Sequence, residues 1–76
     1  MLSSVIKNFH YDSDHARLTI TFNTGRVYEY YAVPSETHTA FRMAFSKGTF
    51  FNTKIRDHYP FKDVTPRSVQ LNREAP

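Results

Sequence analysis

Seventy-six residues with 16% Phe and Tyr, no Trp and no Cys allow one small domain held together by aromatic packing. The missing cysteines exclude disulfides, thiolate metal sites and cysteine nucleophiles. The net charge of +3 is unevenly spread. Up to Phe41, Lys7, Arg17 and Arg26 face Asp12, Asp14, Glu29 and Glu36, a net of −1. From Arg42 on, Arg42, Lys47, Lys54, Arg56, Lys62, Arg67 and Arg73 face Asp57, Asp63 and Glu74, a net of +4. Such asymmetry points to a polyanionic partner for the second half, although a solvated basic face has the same composition.

The N-terminus lacks a basic segment followed by an apolar run, and no stretch approaches the roughly 18 apolar residues of a membrane span. The expectation is a cytoplasmic protein with no membrane partner. Strands come first. Val5, Phe9 and Tyr11 make an uneven alternation, and residues 12–16 (Asp-Ser-Asp-His-Ala) form a polar hairpin loop. Leu18, Ile20 and Phe22 alternate cleanly with Arg17, Thr19 and Thr21, the period of a half-buried strand. Asn23, Thr24 and Gly25 then make a three-residue turn, with Gly25 where φ > 0 is needed. If Phe22 faces Arg26 across that turn, Ile20 faces Tyr28 and Leu18 faces Tyr30. Both tyrosines then point inward, because the opposite register would bury Glu29.

Helices follow. Pro34 suits a helix start, where its missing N–H costs nothing. Thr37, Ala40, Phe41, Ala44 and Phe45 recur on one helical face. Gly48 is expected to end that helix with φ > 0, and Thr49 to cap a second one. Phe51, Ile55 and Tyr59 give the second helix its apolar face, which Pro60 stops. After Pro60 the pattern is too sparse to assign an element. The fold class expected is α+β: a three-stranded antiparallel meander followed by two helices packed on one sheet face. The domain is placed at residues 1–62, with a basic, mobile C-terminal tail over 63–76.

Several pieces occur in a characteristic order: Ser3 and Ser4, Tyr11 and Asp12, Leu18 to Phe22, Gly25, Tyr28 and Tyr30, then Val33 and Pro34. Ala44, Phe45, Ser46, Lys47 and Gly48 follow, then Phe51, Asn52, Ile55 and Tyr59. In this order the chain resembles the KTSC domain, a small module named for the C-terminus of some lysyl-tRNA synthetases. His10 departs from the small residue usual before the Tyr-Asp pair, and the tail has no counterpart. The attachment to a synthetase implies a module that binds RNA, tRNA among the candidates, and that implication is one of association.

For chemistry, Ser46, Lys47, Gly48 and Thr49 offer a hydroxyl, an ammonium and free N–H groups that together could hold a phosphate. The same residues also read as a plain helix–helix turn. Arg42, Lys47, Lys54 and Arg56 supply cations for a nucleic-acid surface, with Phe50 beside them and Tyr31 outward on the third strand as stacking candidates. Tyr28 and Tyr30 are read as structural. His10, His15, His38 and His58 lack metal-ligand spacing and are read as surface histidines, so no metal or cofactor is expected. No nucleophile motif is present, so the expected protein is a monomeric, non-enzymatic RNA-binding module. The alternative is a protein-interaction or structural module whose charge is incidental.

Overall fold

The computed structural model of the chain describes residues 5–66. Four antiparallel strands form one sheet in sequential order: β1 (Ile6–Asp12), β2 (Arg17–Phe22), β3 (Val27–Tyr30) and β4 (Phe61–Asp63). Between β3 and β4 lie α1 (Ser35–Met43) and α2 (Lys47–Phe50), and α2 runs without a break into a π-helical turn, Phe51–Ile55. The architecture is α+β, with four strands where three were expected.

The hairpin register follows from the turn. The Phe22 N–H donates to the Arg26 carbonyl and the Gly25 N–H to the Phe22 carbonyl, each at 2.9 Å, with Gly25 at φ +97°. Leu18 consequently pairs with Tyr30 and Ile20 with Tyr28. Tyr30 is buried, while Tyr28 is only half-buried. On β1 the register shifts between Ile6 and Asn8, so Ile6 and Phe9 serve the same face although three positions apart. That irregularity buries Ile6 and leaves Val5 54% exposed, reversing the expected role of Val5.

The loop from β1 to β2 is organised by Asp12. Its carboxylate accepts from the Asp14 N–H at 3.1 Å and pairs with His15 at 2.8 Å and Arg17 at 3.3 Å. Principally through the His15 bond, these hold its carboxyl below the usual aspartate value. The Tyr11 hydroxyl donates to the Val33 carbonyl at 2.7 Å, and the Val33 N–H to the Ala16 carbonyl at 2.9 Å. Fully buried Val33 thereby fixes where the chain leaves the sheet for α1.

The core is Ile6, Leu18, Ile20, Tyr30, Val33, Phe41, Phe51 and Ile55. From α1, Phe41 lies 4.4 Å from Phe9 between ring centroids, and the His38 ring stacks on Tyr11 at 4.4 Å. From the second helical segment, Phe51 meets Phe22 and Tyr30 edge-on at 5.3 and 5.6 Å. Thus α1 covers the β1 side of the sheet and the π-helical turn covers β2 and β3.

Three helical expectations are corrected. The first helix ends at Met43, where extended Ala44 donates its N–H to the Phe41 carbonyl, so Phe45 leaves the helical face and is fully exposed. Gly48 does not adopt positive φ; it lies inside α2, and Ser46 rather than Thr49 is the cap. The second helix stops at Ile55, since Arg56 is extended and Asp57 has φ +68°. Tyr59 therefore reaches the fold from a loop, its hydroxyl 3.1 Å from the Thr37 hydroxyl.

The fourth strand is short but well tied. Phe61 pairs with Tyr30, Lys62 with Glu29 and Asp63 with Tyr28. Beyond it, the Val64 N–H donates to the Val27 carbonyl at 2.8 Å, and the Val27 N–H donates to the Thr65 hydroxyl at 2.9 Å. The sheet thus extends past the boundary expected at residue 62. The remainder of the expected tail, from residue 67, lies outside the described residues, as do Ser3 and Ser4.

Candidate nucleic-acid interface

The helical half carries its cations without carboxylate partners. Among the described residues, ion pairs join His15 and Arg17 to Asp12, and Arg26 to Asp63. Arg42, Lys47, Lys54 and Arg56 enter none of them. Arg42 is exposed in the last turn of α1, Lys54 is exposed on the π-helical turn, and Arg56 follows it. The Lys47 ammonium donates to the Ala44 carbonyl at 2.9 Å, and the Arg56 guanidinium to the Asn52 side-chain carbonyl at 3.4 Å.

These cations come from the end of α1, the start of α2, the π-helical turn and the residue after it. Arg42 acts on His38, whose ring lies over β1, whereas Arg56 acts on Tyr30 in β3 and lines a cleft with Phe61 of β4. In this sheet β1 and β3 are roughly 10 Å apart. A polyanion touching both cations must therefore run across the helical face.

The turn at Ser46–Thr49 spends its polar groups internally. The Ser46 hydroxyl accepts from the Thr49 N–H at 3.2 Å and donates to the Thr49 hydroxyl at 3.0 Å. With Lys47 bonded to Ala44, the turn acts first as a helix cap. Phe50 is half-buried and tilted against Phe41 at 5.6 Å, so it belongs largely to the core. Tyr31 points to the uncovered sheet face, where its hydroxyl donates to the Glu29 carboxylate at 2.8 Å. That bond, aided by some burial, raises the Tyr31 pKa. The carboxylate engages the Tyr31 hydroxyl, with Arg17 close enough to act on that hydroxyl in the opposite sense.

His38 is not a plain surface residue. Burial lowers its pKa below the ordinary 6.5, with further lowering by the charges of Arg42 and His10. The folded state favours the neutral ring, so the unfolded chain takes up the proton first as pH falls. Stability should therefore be fully present above pH 6.5 and be lost as pH falls from there towards the lower folded value. Thermal unfolding between about pH 7.5 and pH 5.5 should show a falling midpoint, and His38→Gln should flatten the fall. An equal slope in the variant would assign the effect elsewhere.

A second feature had no sequence forecast. Between the π-helical turn and the β3–β4 edge opens a cleft of about 860 Å³, walled by Phe22, Tyr28, Tyr30, Phe51 and Phe61. Phe61 is 5.3 Å from Tyr28 and 5.4 Å from Tyr30, yet 56% exposed. Arg26, Asn52, Arg56 and Asp57 stand around the opening. The signal available was the register rule: it places Tyr28 inward on β3, two positions before the Tyr30 ring that Phe51 covers, where helical cover ends.

The sheet order, the inward tyrosines and the Val33–Pro34 exit can be compared with known proteins. The KTSC domain family matches residues 2–59. The chain belongs to the KTSC domain family. The crystal structure of a KTSC domain protein from Yersinia pestis superposes with a TM-score of 0.78 at 34% identity, covering 83% of this chain and 90% of that one. A lysine–tRNA ligase from Nostoc punctiforme is 40% identical over 62 residues, and one from Trichormus variabilis is 34% identical over the same length. These 62 residues are 82% of this KTSC chain but only 11% of either ligase. Among the described residues, no helix is long and apolar enough to cross a membrane.

Proposed function

We propose that this KTSC domain is a non-catalytic module that binds RNA, tRNA among the candidates, through the cations of its helical half. The observation that carries the reading is the run of cations along the helical half. Arg17 and Arg26 pair with aspartates, whereas Arg42, Lys47, Lys54 and Arg56, all four Lys and Arg residues from α1 to β4, enter no ion pair among the described residues, and neither do Lys7 and Lys62 on the sheet. Exposed unpaired cations beside a polyanion gain mainly by counterion release, a term that needs no shaped pocket. The kinship with lysine–tRNA ligases supports the same partner class.

Titration of the full chain with tRNA and with a matched DNA at two salt concentrations tests this. Affinity for RNA should fall steeply with salt, and Lys54→Ala and Arg56→Ala should each shallow the slope by about one unit. Stability should move by less than about 0.5 kcal/mol for exposed Lys54. One observation favours a second reading: Met43 is 72% and Phe45 100% exposed, an apolar pair suited to a protein partner. A folded protein that binds no RNA at low salt would leave that second reading in possession.

A further inference from the structure

We infer that the aromatic cleft at the β3–β4 edge holds an unpaired base of single-stranded RNA, stacked against Phe61 and Tyr28, with Arg26 and Arg56 meeting the adjoining phosphates. The inference rests on the RNA-binding reading and adds to it a place, a chemical form of the ligand and a stacking contact.

The geometry has three parts. The first is an aromatic surface open to a ligand. Phe61 sits on an edge strand at 56% exposure, and half-buried Tyr28 lies beside it at 5.3 Å. Edge strands usually present charge or proline to solvent, so an open ring there is a cost unless something stacks on it. The second part is size. A cleft of about 860 Å³ falls within the span of roughly 300–1,000 Å³ typical of small-molecule sites. It has room for a nucleotide, whereas a duplex keeps its bases paired and its base faces inaccessible.

The third part is charge placement. Arg26 is held only by an exposed pair with Asp63 at 3.4 Å, their side chains 60% and 46% exposed. Such a pair is worth little, and a phosphate can replace the carboxylate. Arg56 has a neutral partner, Asn52, at 3.4 Å. Asp57 also lines the opening and repels a phosphate on its own side. The backbone is thus directed past the arginines while the base lies on the ring faces that Phe61 and Tyr28 leave open to the cleft. The opposite sheet face offers no such combination, since its tyrosine, Tyr31, is engaged by Glu29.

The test uses the full chain, a short single-stranded RNA of mixed sequence and a duplex RNA of equal length. The single strand should bind more tightly, and the ring resonances of Tyr28 and Phe61 should shift on its addition. Phe61→Leu keeps an apolar side chain on the strand but removes the π face. Its affinity should fall roughly tenfold, the size of one lost base stack, with the salt slope unchanged. Phe61→Tyr should restore the binding. If RNA binds while the cleft rings stay still and Phe61→Leu binds normally, the cleft assignment falls and the basic-surface reading stands. If no RNA binds at low salt, both fall. Nuclear Overhauser contacts from residues after Pro66 to the Phe61 ring, persisting with RNA present, would make the chain's own C-terminus the occupant and overturn the inference. The wild-type ring shifts decide the matter even if a variant fails to fold.

Discussion

Tyr30→Ala should cost about 3–5 kcal/mol, enough to leave a domain of this size largely unfolded at room temperature. Tyr30 is 2% exposed, pairs with Leu18 on one side and Phe61 on the other, and meets the Phe51 ring at 5.6 Å. Removing it takes the keystone from the contact between sheet and π-helical turn, and short β4 loses its main apolar neighbour. Tyr30→Phe should keep most of the stability, because the ring carries the packing. Its difference should show at high pH. Burial, with a smaller contribution from Tyr28, pushes the Tyr30 hydroxyl up to about 12 from 10.0. The unfolded chain then loses that proton first, so the wild type loses stability as pH rises from 10 towards about 12. Denaturant unfolding across that range should give a shallower alkaline loss for Tyr30→Phe. Identical alkaline limbs would show that Tyr30 does not govern it, and a cooperative transition near wild-type stability in Tyr30→Ala would refute the keystone role.

The meander was legible because alternation and turn chemistry agree. Asn23, Thr24 and Gly25 set the register, and that register decides which of Tyr28 and Glu29 points inward. The β1 irregularity was not legible: Val5 and Ile6 are both good strand residues, and only the shift before Asn8 selects Ile6 for the core. The fourth strand was missed because three residues, Phe61 to Asp63, are too few to show a period. Their placement depends on pairing with β3 across a chain separation of about thirty residues, which local pattern cannot report.

The helical half shows the same limit more sharply. Gly48 was assigned positive φ because glycine so often ends a helix, but here extended Ala44 and the Ser46 cap do that work. Besides Gly25, the positive-φ positions among the described residues are Ala16, Ala32 and Asp57, two of them alanines with nothing in their composition to announce it. For the site, Arg42, Lys54 and Arg56 are exposed, whereas Lys47 is half-buried and bonded to the Ala44 carbonyl. What composition could not give was their separation across the helical face, or the meeting of Phe61 with Tyr28 and Arg56 in one cleft.

Phe41 and Phe45 offer the most direct test of that helical reading, since they share a face at helical spacing but not in the folded chain. Phe41 is fully buried, 4.4 Å from Phe9 and 5.6 Å from Phe50 between centroids, and joins α1 to both the sheet and α2. Phe41→Ala should cost about 3–5 kcal/mol, since it leaves a ring-sized cavity where three elements meet. Phe45 is 100% exposed in the link to α2, and Phe45→Ala should stay within about 0.5 kcal/mol of wild type. Urea unfolding of the two variants measures both. Comparable losses would mean that α1 continues past Met43 and buries Phe45, which would also move Ser46 out of its capping position. A large loss at Phe41 alone fixes the helix end at Met43. It would also leave the exposed Phe45 ring available to a partner without any role in holding the fold.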